Sequence, residues 1–469
     1  MTAQRIGLLT GAIALLLGIF APTPDGLSRE GLIVAGLVVL MASWWMTEAL
    51  PLTATALMPF LVLPFAGISN ARETASTYYS PILFLLLGGA FIALAIERTG
   101  LHKRLSLAIL RTIGTSGGQS RLLLAFMISA ALLSMMISNT STSLIMMPMA
   151  LAVLAGGGIA AEDRDGLAGA LPMGIAFAAS IGGLGTLVGS PTNAIAVGLL
   201  DETIGMEITF AEWTLYGLPV VIVGVPLAAW IISYFQKVDD HPFDVASARN
   251  AIEVGTGWST AERRLVPVVA LTFVLWMTLP IVRDYLPAGS WTNGTIAIAA
   301  SLALFLLPDG TGRPLLVWKE ADRAPWGVIM MFGGGLALAA GMTKSGLAEW
   351  LGQALLPLSA VPLLVVALAL VAMVILITEF ASNVATATGI IPIIGSLVVA
   401  LGADPILLAM PAALAASWGF MLPAGTGPNA IAWSTGHIKI GNMVKAGFVL
   451  DLIGIGLIVG LVWAVAALV

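Results

Sequence analysis

Small polar residues interrupt two apolar stretches of this chain in the same order. Residues 138–149 read SNTSTSLIMMPM and residues 382–393 read SNVATATGIIPI, so that Ser138 and Asn139 match Ser382 and Asn383. Hydroxyl and amide oxygens are neutral ligands for hard cations such as Na⁺, which transporters bind where membrane helices are broken. The duplicated motif therefore predicts two related cation sites.

The residues around each motif add further oxygen ligands. In each repeat a hydroxyl residue lies four positions before the motif serine, so that the two hydroxyls share one helix face. These pairs are Ser134 with Ser138 and Thr378 with Ser382. The glycine–proline segments that begin at Gly189 and Gly425 are expected to unwind and to free main-chain oxygens. We predict one oxygen cage in each half of the chain.

Two more blocks repeat in the same order along the chain. GGAFIALAIERTGL at 88–101 corresponds to GGGLALAAGMTKSGL at 333–347, and GSPTNAIA at 189–196 corresponds to GTGPNAIA at 425–432. Three ordered matches indicate an internal duplication, which is typical of transporter folds built from repeats.

Composition places these polar motifs in a membrane. The chain has 469 residues, is 59% hydrophobic and only 10% charged, and has a mean hydropathy of +1.01, whereas soluble domains are about 25% charged. At about 20 residues per crossing, ten to twelve spans fit. The chain lacks cysteine and has three histidines without ligand spacing, so we expect neither a cofactor nor a catalytic metal.

Hydropathy predicts an all-α polytopic protein with eleven spans and two segments of another kind. The predicted spans are 6–21, 30–49, 50–67, 80–97, 168–200, 214–235, 265–282, 293–307, 325–343, 405–435 and 444–468. Segments 122–155 and 361–400 have the polar motifs near their middle, which leaves arms of roughly 15 residues, too short for about 30 Å of hydrocarbon. We predict that both are re-entrant hairpins.

The distribution of basic residues predicts the orientation. On this layout 16 of the 20 lysines and arginines fall on one side, which places the N-terminus in the cytoplasm and the C-terminus outside. The segment after the first glycine block is basic and internal, whereas its counterpart around 344–356 is external. The repeat is therefore predicted to be inverted, and both segments to be amphipathic interfacial helices.

This layout also gives a division into domains. We expect N-terminal spans and an interfacial helix in 1–120, a first transport core in 121–235, a cytoplasmic linker in 236–264, second-repeat scaffold spans in 265–360, and a second hairpin, broken span and last span in 361–469. Glu379 is interpreted as an interfacial or capping residue near a span end.

Several motifs resemble those of the divalent anion:sodium symporter family, which includes sodium-coupled di- and tricarboxylate carriers. They are TEALPL at 47–52, SNTSTSLIMMPM, GSPTN, TEFASNVATAT at 378–388 and GTGPNAIA. The resemblance covers nearly the whole chain. It implies a homodimer in which each protomer has a scaffold domain and a transport domain that moves like an elevator.

The resemblance also implies roles for individual residues. The first sodium site would comprise Ser134, Ser138, Asn139 and the Gly189 carbonyl, and the second Thr378, the Ala381 carbonyl, Asn383 and the Gly425 carbonyl. A dianion between the tips would contact Asn139, Thr140, Ser190, Ser382, Asn383, Thr426 and Gly427. Val384 occupies the position in the second motif that Thr140 occupies in the first, so it would also face this pocket. Many members of the family have threonine at this position.

We therefore predict sodium-coupled import of a small dicarboxylate across the plasma membrane, or the inner membrane of a Gram-negative cell. A dicarboxylate exchanger and a sodium symporter for sulfate or citrate remain open on the same fold. If the protein were an ion channel, its fluxes would not saturate with substrate. A membrane enzyme would need a catalytic group at membrane depth, which the sequence lacks. No nucleic-acid partner is expected.

Overall fold

The computed structural model describes residues 2–113, 118–160, 162–245, 247 and 257–469, and these residues form helices and no strands. Ten helices in the described part are long and apolar enough to cross a membrane. The predicted all-α polytopic fold is thereby confirmed. Of the predicted 236–264 linker, residues 246 and 248–256 lie outside the described residues.

The chain begins with helices that lead into the first repeat. These are Ala3–Phe20, Arg29–Thr47, Leu52–Thr55, Met58–Phe65 and Ala71–Thr77. Helices Ala3–Phe20 and Arg29–Thr47 pack closely, because a Cβ on Gly36 would lie 2.6 Å from the Ala14 carbonyl oxygen. Helices Thr260–Val282, Asn293–Leu306 and Trp318–Ala321 occupy the corresponding place before the second repeat.

The two repeats contain the same elements in the same order. The first repeat begins with a glycine span (Pro81–Thr99) and an interfacial helix (Leu101–Ile113). The first hairpin follows (Gln119–Ser134 and Asn139–Gly156), and then the first broken span (Leu167–Gly183 and Pro191–Ile204). The second repeat begins with its glycine span (Trp326–Lys344) and its interfacial helix (Leu347–Leu355). The second hairpin follows (Leu363–Phe380 and Asn383–Leu401), and then the second broken span (Pro405–Ala415 and Gly427–Ser434). Helices Phe210–Gln236 and Ile440–Ala466 close the repeats.

The helices agree with the predicted spans to within a few residues at most ends. The two long predicted spans, 168–200 and 405–435, are each broken in the middle, as the glycine–proline motifs indicate. The hairpin arms differ from the prediction, because they contain 16, 18, 18 and 19 residues rather than roughly 15. Three of the four arms are long enough to cross a membrane, so arm length is no argument for a re-entrant course.

The repeated glycines have structural roles that are the same in both halves. A Cβ on Gly88 would lie 2.6 Å from the Ala297 side chain, and one on Gly334 would lie 2.3 Å from the Ala56 carbonyl oxygen, so both glycines allow close helix packing. Gly100 and Gly346 both have φ +77°. This left-handed conformation ends each glycine span and turns the chain into the interfacial helix.

The repeats interlock around the broken spans. The helix Gly427–Ser434 packs against the first hairpin, and Pro191–Ile204 packs against the second hairpin. Every residue of Leu167–Gly183 is buried. This arrangement brings both unwound segments and both hairpin tips to the centre of the molecule.

Candidate functional site

The hairpin tips are shaped by the motif serines. Ser138 and Ser382 precede the second arm of each hairpin in an extended conformation, and their hydroxyls accept backbone N–H bonds from Ser141 and Ala385, both at 3.2 Å. Serine is favoured at this position because its side chain satisfies an N–H group that the helix leaves unpaired. The Ser-Asn motif therefore begins a helix with its N-terminal end at the tip.

The first unwound segment, 184–190, is held by side-chain bonds to its own backbone. Asn193, from the GSPTN motif, donates to the carbonyl oxygens of Gly183 at 2.7 Å and Thr186 at 2.8 Å. The Thr186 hydroxyl donates to the Met135 carbonyl oxygen at 2.6 Å and thus connects the segment to the first hairpin tip. Pro191 occupies the first turn of the following helix, where its missing N–H leaves no bond unmade.

The first oxygen cluster lies between this segment and the hairpin. One terminal amide atom of Asn139 is 2.7 Å from the Ser134 hydroxyl and 3.1 Å from the carbonyl oxygens of both Ala179 and Gly189. If the nitrogen occupies this position, it donates to all three oxygens. If the oxygen occupies it, four neutral oxygens converge on one point. Rotation of the Asn139 side-chain amide by 180° therefore converts a hydrogen-bonded cluster into a potential cation site.

The second oxygen cluster contains a hydroxyl, an amide oxygen and one carbonyl oxygen. The Thr378 hydroxyl lies 2.8 Å from the Asn383 amide oxygen and 2.8 Å from the Ala416 carbonyl oxygen. Ala416 follows the helix Pro405–Ala415, and its place in the second broken span corresponds to that of Ala179 in the first. Sequence analysis did not predict that either alanine is part of a cluster, because every residue has a backbone carbonyl and the residue type does not show which ones act as ligands.

Glu379 organises the second unwound segment, 416–426. Its carboxylate accepts backbone N–H bonds from Met421 at 2.9 and 3.1 Å and from Leu422 at 3.1 Å. Asn429 donates to the Leu422 carbonyl oxygen at 3.1 Å, as Asn193 does in the first repeat. Glu379 is only 1% exposed. Of the two roles expected for Glu379, capping is the one that these bonds bear out, and the carboxylate does so while buried in the protein.

A second acidic residue is buried beside Glu379. Asp451, in the last helix, is 5% exposed and lies within hydrogen-bonding reach of the Glu379 carboxyl group. The helix approaches the unwound segment closely, because a Cβ on Gly447 would lie 2.5 Å from the Phe420 carbonyl carbon. No pattern in the sequence indicates that these two acids meet.

The hairpin tips and unwound segments line one cavity of about 430 Å³. All eight residues predicted to contact substrate line it: Asn139, Thr140, Ser190, Ser382, Asn383, Val384, Thr426 and Gly427. The opposite wall is mainly apolar and comes from the first glycine span and from residues 324–328. The cavity is thus polar on the side of the hairpins and apolar on the other.

Four helices begin at this cavity. Asn139, Asn383, Pro191 and Gly427 are the first residues of their helices, and all four line the cavity. The first N–H groups of a helix carry partial positive charge and attract anions. The arrangement can therefore bind an anion without a basic side chain at the tips.

The predicted sodium ligands divide into two groups. Ser138, Asn139, Asn383 and Gly425 line the cavity, whereas Ser134, Gly189, Thr378 and Ala381 do not. Ser134 and Thr378 are fully buried. Ala381 is also buried, and its backbone ends the first arm of the second hairpin. The clusters thus lie directly behind the hairpin surface of the cavity.

Sequence analysis missed the ionic residues at one end of the cavity. Arg323 and Glu97 line it and form an ion pair of 3.8 Å, with side chains 55% and 38% exposed. They lie far apart in sequence, and although Glu97 belongs to the first glycine block, Arg323 lies outside all of the repeated blocks. Only the packing of the first glycine span against residues 323–328 brings them together.

Comparison with known proteins gives one family across the chain. Residues 3–469 match the family described as the sodium:sulfate symporter transmembrane region. The sodium-dependent dicarboxylate transporter SdcS of Staphylococcus saprophyticus is 40% identical over 98% of this chain and 91% of that protein. SdcS of Staphylococcus aureus is 36% identical over 100% of this chain and 92% of that protein.

Two solved transporter structures share the fold. The Alcanivorax borkumensis transporter YdaH aligns with a TM-score of 0.55 at 14% identity, covering 92% of this chain and 98% of that one. Neisseria gonorrhoeae MtrF aligns with a TM-score of 0.56 at 11% identity, covering 98% and 94% respectively. At these identities the likeness concerns the fold alone.

We expect Gly183→Ala to weaken cation binding at the first cluster. The new Cβ would lie 2.1 Å from the terminal amide atom of Asn139 that faces the cluster and would displace it. Loss of one ion–ligand contact costs roughly 1.5–3 kcal/mol, so the sodium concentration that stabilises the purified protein against heat should rise about tenfold or more. Gly389→Ala is the matched control, because its Cβ would meet no atom within 4 Å. Equal sodium responses in both variants would contradict a cation at this cluster.

Proposed function

The chain belongs to the sodium:sulfate symporter family, and we propose that it imports small dicarboxylates such as succinate, malate or fumarate together with sodium. The observation that carries this proposal is the cavity itself, where four helix N-termini and two oxygen clusters meet at tips without a basic residue. Such a site suits an anion that binds together with cations.

The comparisons identify the protein as a membrane transporter. The matching family is a symporter family, and the relatives named above are transporters. The chain is accordingly a transporter and not an enzyme, as sequence analysis predicted. The choice of dicarboxylate as substrate is supported by the names of relatives that are 36–40% identical over nearly the whole chain.

Sodium binds at the two oxygen clusters in this proposal. Ser134, Ser138, Asn139 and Gly189 provide the first site, and Thr378, Ala381, Asn383 and Gly425 provide the second. Ala179 and Ala416 add one carbonyl to each cluster, because each lies within 3.1 Å of another cluster member. Each asparagine then has two functions, since its amide oxygen binds sodium while its backbone begins a helix at the cavity.

The dianion binds between the hairpin tips. Its carboxylates face the helix ends and the side chains of Asn139, Thr140, Ser190, Ser382, Asn383 and Thr426, with Gly427 allowing close approach. A Cβ on Gly427 would lie 2.5 Å from the Thr140 hydroxyl, so any larger residue would close this part of the cavity. Sodium completes the positive potential that the amides and hydroxyls alone do not provide.

Charge sets the minimum coupling. Moving one elementary charge against the membrane potential costs about 2.3 kcal/mol per 100 mV, and a dianion requires twice that energy. Two sodium ions cancel the charge of the substrate. A third would make uptake voltage-driven, but the two clusters account for two ions only.

The proposed movement is an elevator within a homodimer. The transport domain would contain both hairpins and both broken spans (121–235 and 361–469), while 1–120 and 265–360 provide mainly scaffold spans and interfacial helices. With the N-terminus in the cytoplasm and the C-terminus outside, the cavity end that Glu97 and Arg323 line faces the cytoplasm.

The proposal predicts the outcome of a reconstituted uptake assay with two asparagine variants. An inward sodium gradient should drive accumulation of labelled succinate in proteoliposomes, and Asn139→Ala and Asn383→Ala should each abolish it, because each removes a cation ligand and a tip contact. Asn442→Ala is the control, since Asn442 contacts Gln236 away from the cavity. Competition by malate, citrate and sulfate ranks the substrates.

Three results of this assay would contradict parts of the proposal. Normal uptake by folded Asn139→Ala or Asn383→Ala would remove the assigned sites. Uptake that needs internal dicarboxylate but no sodium would indicate an exchanger. Stronger competition by sulfate or citrate than by malate would change the substrate class while the fold and coupling remain.

We expect Val384→Thr to change the relative affinities for dicarboxylates without changing sodium dependence. Val384 lines the cavity opposite the first motif, where the corresponding residue is Thr140. The added hydroxyl provides a hydrogen bond to a substrate carboxylate or hydroxyl, worth about 0.5–1.5 kcal/mol or severalfold in affinity. Inhibition constants for succinate, malate and fumarate measure the change, and an unchanged profile would show that this side chain does not contact substrate.

A further inference from the structure

A second cavity lies away from the hairpin tips, between the first interfacial helix and the first hairpin. Its volume is about 380 Å³, and most of its lining is apolar. The interfacial helix contributes Lys103, Leu107 and Leu110, which follow one another at helical spacing on one face. We call this cavity the first arm groove.

The hairpin side of this groove is an apolar stripe. Leu144, Pro148 and Ala152 occur at intervals of four residues on the arm Asn139–Gly156, and all three are exposed. Leu144 is 58% exposed. In a protein that crosses a membrane, such a stripe meets lipid chains rather than water. The first arm groove is therefore accessible to the acyl region of the bilayer.

One end of the groove carries a positive charge. Lys103 is exposed and follows shortly after the glycine span ends at Thr99, so it lies near the membrane surface. Among the described residues it forms no ion pair. The neighbouring His102 is buried with its Nδ1 3.1 Å from the Ile96 carbonyl oxygen. Burial lowers the pKa of His102, which leaves Lys103 as the cation of the groove.

The second repeat contains a corresponding groove with different chemistry. It lies between Leu347–Leu355 and the second hairpin and has a volume of about 360 Å³. Under the repeat correspondence Lys103 becomes Glu349, Leu107 becomes Gln353 and Ala152 becomes Ser396. The same architecture therefore presents a negative and more polar surface.

From this contrast we propose that the first arm groove binds an anionic phospholipid, with one acyl chain between the interfacial helix and the hairpin and the headgroup phosphate at Lys103. The second arm groove does not bind it, because Glu349 repels the phosphate. In the orientation proposed above, the first groove opens to the cytoplasmic leaflet, where anionic lipids attract basic residues. A bound chain contacts both a scaffold element and a hairpin, so it influences their relative movement.

Native mass spectrometry of the purified full-length protein tests this proposal, with phosphatidylglycerol and phosphatidylcholine as the added lipids. The wild-type protein should retain phosphatidylglycerol preferentially. Lys103→Ala should reduce this preference about fivefold, which corresponds to roughly 1 kcal/mol for one basic residue at an anionic membrane surface. Ala152→Trp should fill the groove and remove the bound lipid.

The second groove provides the matched controls. Ser396→Trp and Glu349→Ala alter the equivalent positions and should leave phosphatidylglycerol binding unchanged, while Glu349→Lys should add a second bound lipid. Unfolding temperatures in detergent show whether each variant is folded. Equal retention of both lipids by the wild-type protein, or unchanged retention by folded Ala152→Trp, would overturn the proposal. Sodium-driven succinate uptake is a separate readout, so failure of the lipid site and failure of the transport proposal are distinguishable.

Discussion

The proposed substrate is a dianion, and its binding among the hairpin tips of a membrane protein is the constraint on which this account of the cavity depends. A lysine or arginine at the tips would bind a dicarboxylate firmly, but it would also have to be stabilised in a low-dielectric environment when the substrate leaves. The chain instead uses partial charges. Four helix N-termini meet at one cavity, and each bears N–H groups without an intrahelical partner.

Those helix ends remain at the cavity because the unwound segments between them are braced. Asn193 and Asn429 donate to carbonyl oxygens in their own loops, and Glu379 accepts from the backbone of Met421 and Leu422. Unpaired backbone groups are costly in a membrane interior, and these side chains satisfy several of them. The carbonyl oxygens of Ala179, Gly189 and Ala416 lie at the oxygen clusters. The same bracing side chains therefore stabilise the broken helices beside the proposed cation sites.

Local patterns in the sequence were sufficient to predict the repeat order and the broken spans, whereas the eight predicted substrate contacts that line the cavity came from the family resemblance. Glycine–proline pairs mark the helix breaks, and the Ser-Asn motif marks a capped helix start. Other features depend on tertiary packing. Ala179 and Ala416 contribute backbone atoms to the clusters. The contact of Glu379 with Asp451 joins helices that are distant in sequence. The Arg323–Glu97 ion pair forms only where the scaffold meets the cavity. The length of the hairpin arms was underestimated, because hydropathy locates apolar residues and not helix ends.

In the proposed mechanism sodium supplies the charge that the neutral tips lack, so that substrate binding depends on sodium. Titration calorimetry of the purified protein with succinate, in sodium and in choline at equal ionic strength, tests this claim most directly. We expect saturable succinate binding in sodium and none in choline, with an affinity that rises as sodium increases. Succinate binding of equal affinity in choline would contradict the account, because the helix ends alone would then suffice.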